Sequence, residues 1–444
     1  MALTHTFSPA WLLTHDKLRW WARAFAVGSL IHVCLPDFEQ PGWAAPQIVE
    51  TVGALLLLWR PTAWGFLLCT LGTLYPLFFL RDVLTQSMYL TWVGFFSCMA
   101  TVVHRIELMA IVRWLTAGTY WLAALHKMNR DFFNPEISCA HHALRQLDSH
   151  WQWASLPTDL GVELSILVIG IECIIGVLIV RRSLLVWPVG CLFHWGLTVT
   201  LAPAFGLVML SGYCATLNGR QMVLIRHLIC RRKTVLSVSI ASLIAVEGLL
   251  SQQIPSVMTV LKAALFFGSV TLSIGLILEK PSGHLVQLKP EPIYVKLIFI
   301  FWIGHGLTPY FGLQYQHAAA MLSNLRIDRD CYNSLLIPPL YARHDPYIRL
   351  NHASIGDGQR PKREVILKEG LWNLVALSTM RRNWCIPELR PITLEGSWTG
   401  RAFRIGDLCS PDWYSHLGLS EPPWPGFQLY QKNLKRRCLT PCIH

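Results

Sequence analysis

Apolar runs close to 20 residues long, separated by short polar breaks, recur through the first 311 positions of the chain. A soluble core needs few runs of that length, whereas a bilayer requires about 20 apolar residues for each helical crossing. The pattern predicts spans near 20–36, 44–59, 63–80, 88–104, 108–126, 161–180, 183–200, 203–219, 236–251, 257–279 and 293–311. The run from Leu184 to Leu217 is long enough for two crossings broken at Pro203, and 236–251 is short enough to be re-entrant. The first stretch starts late, contains Trp20, Trp21 and Arg23, and precedes no small-residue cleavage site. It is therefore read as a span and not as a cleavable signal peptide. The expected fold class is an all-α polytopic membrane protein: a bundle of about nine to eleven helices at 1–311, followed by a small mixed extramembrane tail at 312–444. In the tail, short strands are expected at Glu364–Leu367, Leu374–Leu377 and Ile392–Leu394.

Composition sharpens this reading. Of 444 residues, 53% are hydrophobic and 14% are charged, where soluble domains carry about a quarter charged. A soluble globular enzyme, a disordered chain and a collagen-like chain are excluded. The net charge of +12 does not redirect the argument to nucleic acid, because no Lys/Arg run interleaves with a stacking platform. With the amino terminus in the cytoplasm, inner loops collect 13 basic residues and outer loops 4. The positive-inside rule favours that orientation and places the tail outside the cytoplasm. Cys139, Cys331, Cys385, Cys409, Cys438 and Cys442 then share the outer, oxidising side, where 15 pairings are open to them.

Ionisable side chains at membrane depth are costly and are functional candidates by default. They are His32, Glu50, Glu163, Glu172, His194, Glu247, Lys262, Lys296 and His305. Glu163, Lys262 and Lys296 lie near span ends, where snorkelling explains them. Three further segments concentrate polar groups. At the outer end of the fifth span, Tyr120–His142 reads YWLAALHKMNRDFFNPEISCAHH, with Lys127 where the helix meets the surface and Asp131 four residues on. Either the two form an interfacial ion pair with an aromatic anchor, or Lys127 is buried enough to serve as a general base. The segment Cys191–Leu210 carries His194 before a Pro203 break, and irregular backbone at that depth needs a covering cavity. The segment Gly304–Pro338 contains His305, Tyr310, His317, Ser323 and Asn324.

Together these segments resemble the horizontally transferred transmembrane (HTTM) family, which includes the vitamin K-dependent gamma-glutamyl carboxylases. Lys127-Met128-Asn129-Arg130-Asp131-Phe132 is similar to the family's K-[LM]-[ND]-x-D-[FW] segment. Leu192–Val199 resembles a second motif with an intramembrane His, and Gly306–Arg326 a third segment that runs on in the family into N-H-L-L-I-P. Here that continuation is Asn333–Pro338, with Ser334 in place of His. The likeness covers about residues 15–340. In the carboxylases the matching lysine deprotonates a reduced naphthoquinol. Oxygenation then yields a strong base that removes the γ-proton of a protein glutamate, and carbon dioxide adds to the carbanion. The resemblance implies Lys127 and His194 as catalytic residues. It implies His305, Tyr310, His317 and Asn324 as lining for a reduced, vitamin K-like quinone, with one cavity on the outer half of the bundle. No metal is expected. The expected partners are membrane lipid and a protein or peptide substrate on the outer side. The 133-residue tail is much smaller than the carboxylases' lumenal region. A non-enzymatic membrane partner or assembly factor that retains the fold is the alternative. A transporter ranks last, because one broken span without a counterpart is a poor match to paired repeats.

Overall fold

The computed structural model describes residues 16–33, 44–79, 85–103, 106–150, 160–200, 205–217, 290–311, 319, 322–328, 330–338, 347–356, 370–372, 374, 377–378, 381, 384–386, 389, 390–421, 434–435, 437–439 and 442. The chain forms two compact units. Met1–Tyr75, Gln86–Leu125 and Ala140–Gly304 make the first; Pro76–Thr85, His126–Cys139 and His305–His444 make the second.

The protein is mostly helical, with one small antiparallel sheet. The helices are α1 (Asp16–Val33), α2 (Ala44–Trp59), α3 (Ala63–Phe79), α4 (Thr85–Val102), α5 (Leu108–Lys127), α6 (Cys139–His150), α7 (Val162–Val180), α8 (Val186–Thr200), α9 (Phe205–Cys214) and α10 (Ile293–Gly306). Nine of these fall on expected spans. The expected spans 236–251 and 257–279, with Glu247 and Lys262, lie outside the described residues, as does Pro203. The short α6 was not expected; its His141 Nε2 is 2.7 Å from the Leu160 carbonyl.

Among the described residues, α5 and α7 are both long and apolar enough to cross a membrane by length and composition; α2, α3 and α10 are apolar but shorter. A crossing needs roughly 30 Å of helix, which α5 supplies with its 20 residues. The ten residues of α9 supply about half of that. The helical class is therefore present, with two helices of crossing length among the described residues.

The two long helices differ in what they bury. In α5, 78% of the apolar window is enclosed, whereas in α7 only 28% is. The buried positions of α7 are Ser165, Glu172, Ile175, Gly176 and Ile179. Ile166, Leu167, Ile174 and Val177 point outward, each more than 40% exposed. A helix that buries Ser165, Glu172 and Gly176 beside two isoleucines while presenting large aliphatics outward departs from the soluble pattern.

Close packing in the first unit depends on small residues. A Cβ on Gly72 would lie 2.6 Å from the Glu50 Cβ, and one on Gly53 2.6 Å from the Cys69 backbone nitrogen. These glycines let α3 approach α2 at backbone distance, the geometry that small residues permit between membrane helices. One buried charge at the other end is compensated: Arg113 of α5 donates to Glu291 at 2.8 Å, with Arg182 3.6 Å from the same carboxylate oxygen.

In the second unit the strands are β1 (Ile348–Ile355), β2 (Gly370–Trp372), β3 (Ile392–Trp398), β4 (Arg401–Ile405) and β5 (Leu434–Lys435), in spatial order β4-β3-β1-β2-β5. A bulge between Leu350 and His352 shifts the register of β1 on β3. It explains why Ile348 and Leu350 are buried before it, and Ala353 and Ile355 after it: an extra residue reverses the two-residue alternation. Gly396 faces the bulge, and a Cβ there would meet the Arg349 carbonyl oxygen at 2.0 Å. The sheet's core comprises Ile348, Leu350, Ile355, Leu377, Leu394, Ile405, Leu408 and Trp413, among others. Ile392–Leu394 is a strand as expected, extended to Trp398. Leu374 and Leu377 are helical and not extended. Three residues apart, the spacing of one helical face, both pack against the same core. Glu364–Leu367 lies outside the described residues.

All six candidate outer cysteines are paired: Cys139–Cys442, Cys331–Cys438 and Cys385–Cys409. The cysteines outside disulfides among the described residues are Cys69, Cys98, Cys173, Cys191 and Cys214, all on or beside expected spans.

Candidate functional site

Lys127 is the last residue of α5. It is 5% exposed, and its ammonium nitrogen lies 5.9 Å from the centre of the Phe132 ring. A snorkelling anchor would extend its head into water; Lys127 instead keeps its head inside the second unit, over an aromatic face.

The surroundings are held by three asparagines. After α5, the backbone at Met128–Arg130 runs beside Asn333–Leu335: Leu335 N–H donates to the Met128 carbonyl at 3.0 Å, and Arg130 N–H to the Asn333 carbonyl at 3.0 Å. The Asn129 amide donates to the His126 carbonyl at 2.7 Å, while its oxygen accepts the Phe132 N–H at 2.9 Å. This bond fixes Phe132 relative to Lys127. Asn333 donates to the Asn324 carbonyl at 2.8 Å and accepts the Arg326 N–H at 2.8 Å. Asn324 accepts from Cys139 N–H at 2.7 Å and donates to the Ile137 carbonyl at 2.9 Å. Its φ of 56° is in the left-handed region, which asparagine tolerates better than most residues. Beneath these lies a fully buried ion pair, with Arg326 Nε 2.7 Å and Nη2 3.1 Å from the two carboxylate oxygens of Asp328.

Asp131 is half-buried, and burial raises its carboxyl above the ordinary range against the opposing effects of an Asn333 hydrogen bond and the Arg326 charge. Tyr310 lies in a 3-10 turn, Thr308–Phe311, and is buried. Its hydroxyl is 3.1 Å from His126 Nδ1, and the two rings stack with centres 5.4 Å apart. His305 precedes this turn, and its carbonyl accepts the Thr308 hydroxyl at 2.6 Å. His317 lies outside the described residues.

His194 belongs to the first unit, whereas Lys127, His305, Tyr310 and Asn324 belong to the second. His194 is 3% exposed. The Tyr120 hydroxyl bridges His194 Nε2 and the Tyr213 hydroxyl. Phe193 and Phe205 flank the imidazole, with ring centres 5.4 and 5.6 Å away. His194 Nδ1 is buried without a hydrogen-bond partner among the described residues. A Cβ on Gly206 would lie 2.7 Å from the His194 Cβ, so glycine admits the histidine.

Sequence reasoning missed several members of these clusters. His126, adjacent to Lys127, was overlooked beside the stronger motif. Tyr120 and Tyr213 were not singled out. His32 and Glu50 were noted as costly at membrane depth, but Ser87, the second partner of His32, was not. His32 Nδ1 lies 3.0 and 3.1 Å from the Glu50 oxygens, and its Nε2 lies 2.7 Å from Ser87 Oγ.

Among the described residues, no three His, Cys, Asp or Glu side chains converge as metal ligands. Compared with known proteins, the chain matches no family model, no curated protein and no solved structure.

Proposed function

We propose that this chain is a multi-pass membrane protein and a quinol-using, carboxylase-like modifying enzyme in which Lys127 is the proton-accepting amine. The observation that carries the reading is the enclosure of Lys127, held at the end of a membrane-length helix by a hydrogen-bonded asparagine frame. A general base needs a fixed position and limited water. The outward aliphatic face of α7 supports lipid contact. The three disulfides support an oxidising, extracytoplasmic setting for the second unit.

A reduced quinone fits the surroundings of His194. A planar ring with polar oxygens requires aromatic walls and a hydrogen-bonding group, supplied by Phe193, Phe205 and His194 Nδ1, which has no hydrogen-bond partner among the described residues. When bound, such a group supplies the reducing equivalents and, with oxygen, the basicity needed to remove an unactivated proton. His194 would bind and orient it, and Tyr120 would hold the imidazole in place. The acceptor is a protein or peptide on the outer side.

The test is quinol consumption by purified protein in nanodiscs, after quinol binding has been shown. Lys127→Ala should lose roughly 10²–10⁴ in rate. Lys127→Arg should fail equally, because guanidinium stays protonated. Full activity of the Arg variant eliminates the base assignment. It would favour the non-enzymatic reading, to which the mutual bonding of Asn129, Asn324 and Asn333 lends support as a purely structural frame.

A further inference from the structure

Three helices of the first unit bring a carboxylate, an imidazole and a hydroxyl into line. Glu50 comes from α2, His32 from the last turn of α1 and Ser87 from the first turn of α4. All three are buried, at 2%, 2% and 0% exposure. The order matters: each imidazole nitrogen faces a different group, with the carboxylate at Nδ1 and the hydroxyl at Nε2. A carboxylate at Nδ1 selects the tautomer with its proton on Nδ1, leaving Nε2 with a lone pair directed at Ser87 Oγ. This is the role assignment of an acid–base–nucleophile triad, which is defined by geometry and not by chain order.

Two features go beyond a satisfied polar cluster. Ser87 is the third residue of α4, so its own N–H and that of Gln86 are among the four that a helix leaves without an internal acceptor. Such donors beside a nucleophile are suited to stabilise a developing oxyanion. Packing also fixes the acid: Gly72 of α3 brings backbone against Glu50, where any Cβ would lie 2.6 Å from the Glu50 Cβ.

We infer that Ser87, His32 and Glu50 form a second reactive site, an acyl-transfer centre for a lipid-soluble ester or thioester. It is independent of the quinol reading. The substrate class follows from the surroundings. The triad sits in a helix bundle with outward-facing aliphatics, such as Ile48, Val52 and Leu55 on α2 itself, so an acyl chain arriving through an apolar phase suits it better than a charged peptide. In the reaction, Oγ bonds to the acyl carbon as its proton passes to His32 Nε2, and the carbonyl π pair moves to oxygen. Collapse breaks the bond to the leaving alcohol or thiol, which takes that proton. Water or a second alcohol then repeats the steps and releases the acyl group.

The experiment uses the full chain in nanodiscs with a long-chain alkyl fluorophosphonate, beside a membrane serine hydrolase as positive control. One phosphonyl adduct is expected on the peptide containing Ser87. It should be absent in Ser87→Ala and form at least about 100-fold more slowly in His32→Gln. No adduct at Ser87 while the control reacts fully overturns the inference, as does an unchanged rate in His32→Gln. If His32→Gln does not fold, Ser87→Cys decides. Its thiol, facing the same imidazole, should react with a bilayer-soluble alkylating reagent faster than the buried Cys69 of the same bundle. Equal or slower reaction overturns the inference.

Discussion

Removing the Cys385–Cys409 disulfide offers the clearest quantitative test of the second unit. The bond closes a loop of 24 residues that contains all of β3 and β4. Substituting both cysteines by alanine leaves the folded contacts largely in place and releases the unfolded chain from its cross-link. In the chain-entropy description, a loop of that length contributes about 3.5 kcal/mol. For a unit of this size, each kcal/mol lowers the melting temperature by roughly 2–4 °C, so a drop of about 7–14 °C is expected. The buried sulfur of Cys409, in contact with the sheet core, adds a small packing loss. Unfolding of the parent and the double variant should be followed by circular dichroism in the same detergent. Proteolysis without reduction, followed by mass spectrometry, should recover the three pairs Cys139–Cys442, Cys331–Cys438 and Cys385–Cys409. A different partner for any of them, or a double variant as stable as the parent, would refute the arrangement of the unit and the outer-side reading that rests on it.

Two more outcomes follow from single residues. Gly396→Ala places a methyl group against the Arg349 carbonyl, and relieving that contact at the bulge should cost about 1–3 kcal/mol, read as a lower denaturant midpoint. Asp131 titrates above its ordinary value of 3.8 because of burial, so its protonated form favours folding. That contribution is complete below the unfolded value and is lost as pH rises through the raised one. The melting-temperature difference between parent and Asp131→Asn should therefore shift against the parent as pH rises through that window; a constant difference removes the assignment.

The amount legible in the sequence varied with the range of the interaction. Helix positions followed from local apolar runs, and nine described helices fall on expected spans. The strand at Ile392 was legible for the same reason. Leu374 and Leu377 misled because a short apolar segment fits either period, and the sheet core selected the helical one. Lys127 stood out because its neighbours form a compact motif. Ser87 did not, since a serine gains meaning only from residues 55 positions away on α1 and 37 away on α2.

The sequence alone determined the helical class and set Cys139, Cys331, Cys385, Cys409, Cys438 and Cys442 apart from the cysteines in or beside the apolar runs. These are properties of composition and short windows, where transfer free energy depends on residue type and not on neighbours. Tertiary structure decided the rest. It chose one of 15 cysteine pairings, enclosed Lys127 instead of leaving it at a surface, placed His194 in a different unit from Lys127, and set His32 between Glu50 and Ser87. Each of these depends on the approach of residues far apart in the chain, and directional bonds between such residues exist only once packing has fixed distance and angle.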